Sequence, residues 1–192
     1  MKKVVLFMSV SVDGFIAGPD GDLGWHRVDE EVHAHFNETL SAMSAFLDGR
    51  VTWELMADFW PTADADPEAP APIVEFSRIW RDMPKVVFSR SLSTTDWNTT
   101  VRREVSAPEI RAMCDQPGGD LALGGADLAA TFLSMDLVDE LRLYVHPALV
   151  GRGKRLFAAG DLVRDLELVE SRAFGNGVVL MRYARVSAVT AA

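Results

Sequence analysis

The chain has 192 residues, a length that suits one domain whose core needs neither a metal nor a disulfide. Hydrophobic residues make up 48% of it and charged residues 24%, which excludes disordered, collagen-like and fibrous proteins. Acidic residues outnumber basic ones by 28 to 19, and the net charge of −9 argues against nucleic acid or an anionic membrane as a partner.

The lone cysteine, Cys114, excludes an intramolecular disulfide and a cysteine-cluster metal site, and it favours a reducing compartment. The apolar run after Lys2 and Lys3 ends at Ser9, which is too short for a secretory signal or a membrane span. We therefore expect a cytoplasmic protein. The histidines lack the spacing of metal ligands, so we expect no metal site; they are His26, His33, His35 and His146.

Strands and helices alternate along most of the chain. Residues 4–12 are apolar almost throughout, which predicts a central strand buried on both faces. A glycine-rich loop follows, and Asp29 is the predicted N-cap of the first helix. Residues 60–72, with four prolines, are predicted as an exposed loop. The other predicted strands are 45–47, 85–89, 101–105, 121–123 and 140–145, and the other predicted helices are 51–59, 73–81, 108–116 and 126–135.

The chain ends in a predicted hairpin, in which residues 166–173 and 178–186 flank a Phe-Gly-Asn-Gly turn. This order predicts one α/β domain in three layers, with a mostly parallel central sheet, helices on both faces and an antiparallel C-terminal hairpin. In such sheets ligands bind beyond the carboxyl ends of the strands. Each unusual loop of this sequence follows a strand, so we expect the binding site at that edge.

Three short motifs after predicted strands suit a phosphate. They are Gly124-Gly125-Ala126, Gly49-Arg50 with Thr52, and Ser89-Arg90-Ser91. Glycine lets the backbone approach a ligand, free amides at a helix N-terminus favour an anion, and arginine is a permanent cation. Each motif alone is also compatible with a tight connection, a solvated helix cap or a polar turn. Together they predict an extended phosphate-bearing cofactor, with an extra phosphate near Arg90.

The order and spacing of four segments resemble the dihydrofolate reductase superfamily. They are residues 10–17 (Val-Ser-Val-Asp-Gly-Phe-Ile-Ala), 49–54 (Gly-Arg-Val-Thr-Trp-Glu), 85–90 (Lys-Val-Val-Phe-Ser-Arg) and 124–125 (Gly-Gly). More closely, the chain is similar to the C-terminal reductase domain of the bifunctional riboflavin-biosynthesis deaminase/reductase and to its free-standing bacterial relatives. Residues 139–147, 151–153 and 156–157 carry that closer likeness, which covers about residues 3–186.

The resemblance implies an NADPH-dependent reductase with a dihydrofolate reductase-like fold. The reaction would be hydride transfer to a C=N or C=O of a small heterocycle, pyrimidine- or pterin-like, while the protein supplies placement and a proton. By motif position the cofactor contacts would be Gly49, Arg50 and Thr52 for its phosphates, Ser89, Arg90 and Ser91 for the 2′-phosphate, Gly124, Gly125 and Ala126 for the pyrophosphate, and Ala17 and Gly18 for the nicotinamide carboxamide.

The substrate side offers several candidate residues. The candidate proton donors are Asp29, Glu30 and Asp13, or an ordered water, and the candidate substrate contacts are Trp25, Gly151 and Gly153. Residues 24–28 lack the proline-containing pattern of dihydrofolate reductases, which argues against folate reduction. The chain carries no deaminase domain and no zinc signature, so membership of the riboflavin pathway does not follow.

Two alternatives stay open. A true dihydrofolate reductase would need a helix acid buried beside a pterin. A non-catalytic protein that binds NADPH or another nucleotide would keep the phosphate motifs without a correctly placed acid. We expect a small-molecule ligand in each case, and the resemblance is compatible with a homodimer through residues 140–145 and the C-terminal strands.

Overall fold

The computed structural model describes residues 1–93, 95–157 and 163–186. In chain order the strands are β1 (Val4–Ser11), β2 (Phe15–Ala17), β3 (Ala45–Gly49), β4 (Lys85–Phe88), β5 (Thr99–Arg102), β6 (Leu121–Leu123), β7 (Glu140–His146), β8 (Lys154–Arg155), β9 (Leu166–Ala173) and β10 (Val179–Arg185). The helices are α1 (Glu30–Ser41), α2 (Arg50–Phe59), α3 (Ala71–Asp82), α4 (Ala107–Asp115) and α5 (Ala126–Ser134), with two 3₁₀ turns at Pro19–Gly21 and Trp60–Thr62.

The main sheet has eight strands in the order β5-β4-β3-β6-β1-β7-β10-β9. The first six of these run parallel, and β10 pairs antiparallel with both β7 and β9. Strand β1 lies between β6 and β7, as its apolar sequence predicts. A separate pair, β2 with β8, lies outside the main sheet. The predicted parallel sheet with an antiparallel C-terminal hairpin is confirmed.

Helices cover both faces of the sheet. Adjacent residues of β1 point in opposite directions, so that Leu6 packs with α4 and α5 while Val5 packs with α1, α2 and α3. Because both faces are buried, the central strands are apolar almost throughout. Each fully buried leucine in these clusters stabilises the fold by about 1.5–3 kcal/mol.

Local signals placed most boundaries correctly, and the differences have tertiary causes. The Asp29 carboxylate accepts a hydrogen bond from Val32 N at 3.0 Å, which confirms the predicted N-cap. The predicted exposed loop at 60–72 is only partly right, since Pro61 is buried and begins the second 3₁₀ turn with Trp60. The Arg81 guanidinium holds this segment through Asp64 and the Pro61 carbonyl.

The carboxyl ends of the six parallel strands lie along one edge of the sheet. The loops that leave this edge include residues 12–29 after β1, residues 89–98 after β4 and residues 147–153 after β7. The short connections from β3 to α2 and from β6 to α5 leave the same edge. Within the described ranges, no helix is long and apolar enough to cross a membrane.

Candidate active site

Two glycines join β6 to α5 where they pass the start of α2. The Gly124 amide donates to Leu47 O at 3.0 Å, and Gly125 has φ +87°, a conformation that strains any residue with a side chain. A Cβ at Gly124 would lie 2.7 Å from Asp48 Oδ1, and one at Gly125 would lie 2.7 Å from Thr52 Oγ1. These residues form a backbone surface that no side chain could occupy, which we call the glycine cradle.

The N-termini of α2 and α5 meet at the glycine cradle. Their N-cap residues, Gly49 and Gly125, have no side chain that could cap the helix, so the first-turn amides are available to an anion. Arg50 lies at the start of α2, half-exposed, and pairs with Glu54 at 2.7 Å. The structure therefore brings two of the three predicted phosphate motifs together.

The third motif follows β4, two strands away from β6 and so about 10 Å from the cradle. The Ser89 hydroxyl accepts hydrogen bonds from Leu92 N at 2.9 Å and Ser91 N at 3.3 Å, so it serves mainly to hold the turn. Arg90 is exposed. Arg103 also holds the turn, because its guanidinium donates hydrogen bonds to the carbonyls of residues 89, 90 and 92. No sequence motif indicated this residue.

Asp13 joins the loops that follow β1 and β7. Its carboxylate accepts hydrogen bonds from Ser11 Oγ at 2.6 Å, Gly151 N at 2.7 Å and Val150 N at 3.1 Å. The Ser11 hydroxyl and these amides lower the pKa of Asp13 to about 2. Near neutral pH the group is therefore ionised, a state that holds loops together and does not suit a proton donor.

The predicted nicotinamide and substrate loops meet beside Asp13. Strand β2 pairs with β8, and Gly153 passes so close to Ala17 and Gly18 that a Cβ there would overlap the Ala17 carbonyl oxygen. Gly153 also has φ +133°, so both space and backbone require glycine. The structure thus gathers Ala17, Gly18, Gly151 and Gly153 at one place, and their roles toward nicotinamide and substrate stay predictions.

Trp25 belongs to a group of packed aromatic rings that no sequence motif indicated. Its ring centroid lies 4.2 Å from that of His26, and the His26 ring stacks on His146 at 5.0 Å. The His26 ring is therefore packed against the end of β7, although the residue lies in a glycine-rich loop. We call Trp25, His26 and His146 the imidazole cluster.

His146, the last residue of β7, is fully buried. Its Nδ1 accepts a hydrogen bond from Arg27 N at 2.9 Å, which places the proton of the neutral ring on Nε2. Burial, and to a lesser degree His26, lowers the pKa of His146 to about 4, so the ring is neutral near pH 7. In the described structure the Nε2 atoms of His146 and His26 are buried without a hydrogen-bond partner. The cluster therefore holds unpaired polar groups that a bound molecule could satisfy.

The acids at the start of α1 lie at the protein surface. All three, Asp29, Glu30 and Glu31, are exposed. Asp29 caps the helix, and the Glu31 carboxylate accepts a hydrogen bond from Gly175 N, in the β9–β10 turn, at 3.1 Å. Two of these carboxylates therefore serve the fold, whereas Glu30 is exposed and forms no hydrogen bond or salt bridge among the residues described.

Asp48 is a buried acid that the sequence pattern did not single out. It lies at the end of β3 with 7% of its surface exposed, and its Oδ1 faces Gly124 of the cradle. Burial raises the pKa of Asp48 to about 7, while the Lys85 ammonium acts in the opposite direction. An isolated acid inside an apolar strand has no spacing partner, so no motif could have found it.

A groove of about 820 Å³ lies at the other edge of the sheet, near the amino ends of β3 and β4. It runs between the end of α1 and α3, and residues such as Met43, Arg78 and Met83 line it. None of the predicted site residues lies there. No group of three or more His, Cys, Asp or Glu side chains in the described ranges could hold a metal ion.

The model of the RibD C-terminal domain family matches residues 2–180. This chain belongs to that family. It is 32% identical over 183 residues to the uncharacterized protein YyaP of Bacillus subtilis (strain 168), an alignment that covers 95% of this chain and 94% of YyaP. The family assignment confirms the closer of the two resemblances predicted from the motifs.

Solved structures agree on the fold of this RibD C-terminal domain. A putative riboflavin biosynthesis protein from Shewanella sp. PV-4 has a TM-score of 0.76 at 19% identity, covering 96% of this chain and 99% of its own. A diaminohydroxyphosphoribosylaminopyrimidine deaminase/5-amino-6-(5-phosphoribosylamino)uracil reductase from Thermotoga maritima has a TM-score of 0.66 at 16% identity. The match covers 96% of this chain and 57% of that longer protein.

Proposed function

We propose that this protein is an NADPH-dependent reductase that transfers a hydride to a C=N or C=O of a small pyrimidine- or pterin-like heterocycle. The observation that carries the proposal is the glycine cradle, where two uncapped helix N-termini meet at a surface from which side chains are excluded. Membership of the RibD C-terminal domain family supports the reductase class, and the name of the Thermotoga maritima fold relative includes a 5-amino-6-(5-phosphoribosylamino)uracil reductase.

The residues present fit a dinucleotide phosphate. The first-turn amides of α2 and α5 would bind the pyrophosphate, with the Thr52 hydroxyl beside Gly125 and the Arg50 guanidinium at the rim. Arg90, exposed on a turn that Arg103 holds, would bind the 2′-phosphate about 10 Å away. When bound, NADPH supplies the hydride.

The protein's own groups place the substrate. The Ala17–Gly18 and Gly151–Gly153 segments form one wall, and the imidazole cluster forms another at the end of β7. The His146 Nε2–H would donate a hydrogen bond to a carbonyl oxygen or ring nitrogen of the heterocycle. Glu30 or an ordered water is the proposed proton source, because Asp13 and Asp29 are engaged elsewhere.

A titration of the purified protein with NADPH and with NADH, followed by tryptophan fluorescence, tests this proposal. We expect micromolar binding of NADPH and binding of NADH at least tenfold weaker, a difference of about 1.4 kcal/mol. Arg90→Ala should remove most of that preference, while Arg111→Ala, a matched change of an exposed arginine on α4, should not. If neither nucleotide binds, the proposed function is wrong.

The exposed acids of α1 bear on the two alternatives. A dihydrofolate reductase needs a buried helix acid, and none of the three described acids is buried, which argues against it. The same observation favours a non-catalytic nucleotide-binding protein as the second candidate. Turnover of NADPH with a panel of pyrimidine and pterin compounds distinguishes it from the reductase, because a binding protein would oxidise none of them.

A homodimer also stays a proposal. Strand β9 lies at the outer edge of the sheet and exposes Leu166, Leu168 and Val169. Exposed apolar residues on an edge strand are typical of a surface that another chain covers. Light scattering of the purified protein distinguishes a dimer from a monomer, and Leu168→Lys should shift a dimer through this edge toward monomer.

A further inference from the structure

The Asp48 carboxyl lies where three features of the fold meet. It is the penultimate residue of β3, next to Gly49, the N-cap of α2, and its Oδ1 lies against Gly124 at the entry to α5. The residue is 93% removed from solvent, because only 7% of its surface is exposed. No hydrogen bond among the described residues involves its side chain.

The charged groups near Asp48 are already engaged with other partners. The Lys85 ammonium, from β4, donates to the carbonyls of Trp80 and Met83 and lies over the Trp80 ring. Burial lowers the pKa of this lysine, and the negative charge of Asp82, at the end of α3, acts to raise it.

The charges on the two helices that flank Asp48 are also paired. Arg50, at the start of α2, pairs with Glu54 of the same helix. Asp127, in the first turn of α5, is exposed and pairs with Lys154. Strand β6 contributes only Leu121–Leu123 and the glycines that follow.

A negative ligand in the glycine cradle would therefore lie beside a largely buried carboxyl that has no hydrogen bond to another described residue. Two like charges in a site of low dielectric repel each other, and protonation of the carboxyl removes the repulsion. The neutral acid also has an O–H group, which can donate a hydrogen bond to an oxygen of the ligand. A carboxylate can only accept hydrogen bonds, and phosphate oxygens offer it none.

We propose, on the basis of the proposed NADPH function, that Asp48 is a cofactor-binding residue that takes up one proton from solvent as the dinucleotide binds and donates that proton in a hydrogen bond to the ligand. No covalent bond changes in this step, since one solvent proton becomes bound to an Asp48 oxygen. Dinucleotide affinity is therefore linked to pH through a residue that no phosphate motif contains.

The direction of the pH effect follows from the free protein. Burial raises the pKa of Asp48 to about 7, so the carboxyl is largely neutral below that pH and ionised above it. A bound phosphate raises the pKa further, because it disfavours the ionised form. Binding should then weaken as the pH rises above about 7, approaching tenfold per pH unit.

Titration calorimetry with NADPH at pH 7.5, in buffers of different ionisation enthalpy, measures the proton uptake directly. We expect Asp48 to take up about 0.75 proton per dinucleotide in the wild type, since a group of pKa about 7 is mostly ionised at that pH. We expect Kd for NADPH to rise roughly 25-fold between pH 6.5 and 8.5. This wild-type measurement does not depend on the folding of any variant.

Asp48→Asn keeps the shape of the side chain and removes its charge. It should remove the proton uptake that Asp48 accounts for and flatten that part of the pH dependence of Kd, and at pH 8.5 it should bind NADPH more tightly than the wild type. Asp58→Asn, a matched change of an exposed acid near the end of α2, should keep the wild-type profile. NADPH carries a titrating 2′-phosphate of its own, and the two variants separate its contribution because both retain it.

The outcomes distinguish this inference from the proposed function. Binding of NADPH without proton uptake by the wild type would overturn the role of Asp48 and leave the reductase proposal standing. Uptake that persists unchanged in Asp48→Asn would assign the proton to another group and also overturn it. Absence of NADPH binding at every pH from 6.5 to 8.5 would overturn both.

Discussion

The two halves of the candidate site use different chemical groups, backbone in one and side chains in the other. The proposed cofactor half, at the ends of β3 and β6, uses backbone amides and glycines from two short segments, each continuous in the sequence. The proposed substrate half, at the ends of β1 and β7, uses side chains from distant segments, with Asp13 bound to residues 150–151 and His26 stacked on His146. Backbone chemistry is the same for every residue, so the first half suits a ligand shared by many proteins. Side-chain chemistry differs between chains, so the second half suits selection of a particular substrate.

Gly125→Ala should have the largest effect on this comparison. A Cβ there would lie 2.7 Å from Thr52 Oγ1, and φ +87° strains any residue with a side chain. We expect loss of at least 30-fold in NADPH affinity, or about 2 kcal/mol, measured by fluorescence titration. Gly21→Ala is the matched control, since Gly21 has φ +81° with open space around it. Wild-type binding by Gly125→Ala would mean that the dinucleotide does not use the cradle.

His146→Asn should have the next largest effect, on stability and on substrate binding. It should leave NADPH binding unchanged and so distinguish the substrate half of the site from the cofactor half. Burial lowers the pKa of His146 from 6.5 to about 4, so the folded state holds the neutral ring. The stability that depends on this neutral ring is present above pH 6.5 and is lost as the pH falls toward 4. Between pH 7 and pH 5 the wild type should lose about 2 kcal/mol from this group, and the variant should not.

Urea unfolding at both pH values measures that difference. The Asn side-chain oxygen can accept the hydrogen bond from the Arg27 amide in place of Nδ1, so the variant is expected to fold. Its Kd for NADPH should match the wild type, and KM for a substrate identified in the screen should rise. An equal loss of NADPH affinity would show that the imidazole cluster belongs to the cofactor half instead.

Arg103→Ala should have the smallest of the three effects. Its guanidinium holds three carbonyls of the turn at 2.7–3.1 Å but lies beyond the predicted motif. Loosening that turn should weaken NADPH binding about fivefold, or about 1 kcal/mol, and should leave NADH binding unchanged. An equal loss for both nucleotides in the same titration would show that the turn supports the cradle and not the 2′-phosphate.

Local sequence signals were sufficient for the long elements and the phosphate motifs. Helix α1 was predictable because Asp29 caps it and its apolar residues recur at helical spacing. The pairing of β2 with β8 could not be predicted. These strands have three and two residues, and they pair only because the fold brings Gly153 past Ala17. Such short strands carry no periodicity of their own.

The chain order of strands, glycines and helices determined the α/β fold, its C-terminal hairpin and the edge at which the candidate site lies. Those features depend on neighbouring residues, and neighbours are visible in the sequence. Only the tertiary structure decided which acids are ionised and which polar groups are unpaired. The Ser11 hydroxyl lowers the pKa of Asp13 most, and amides 137 and 138 residues away, which only the fold brings there, lower it further. Burial keeps Asp48 partly neutral. Desolvation and long-range hydrogen bonds arise from packing, and for that reason no local pattern records them.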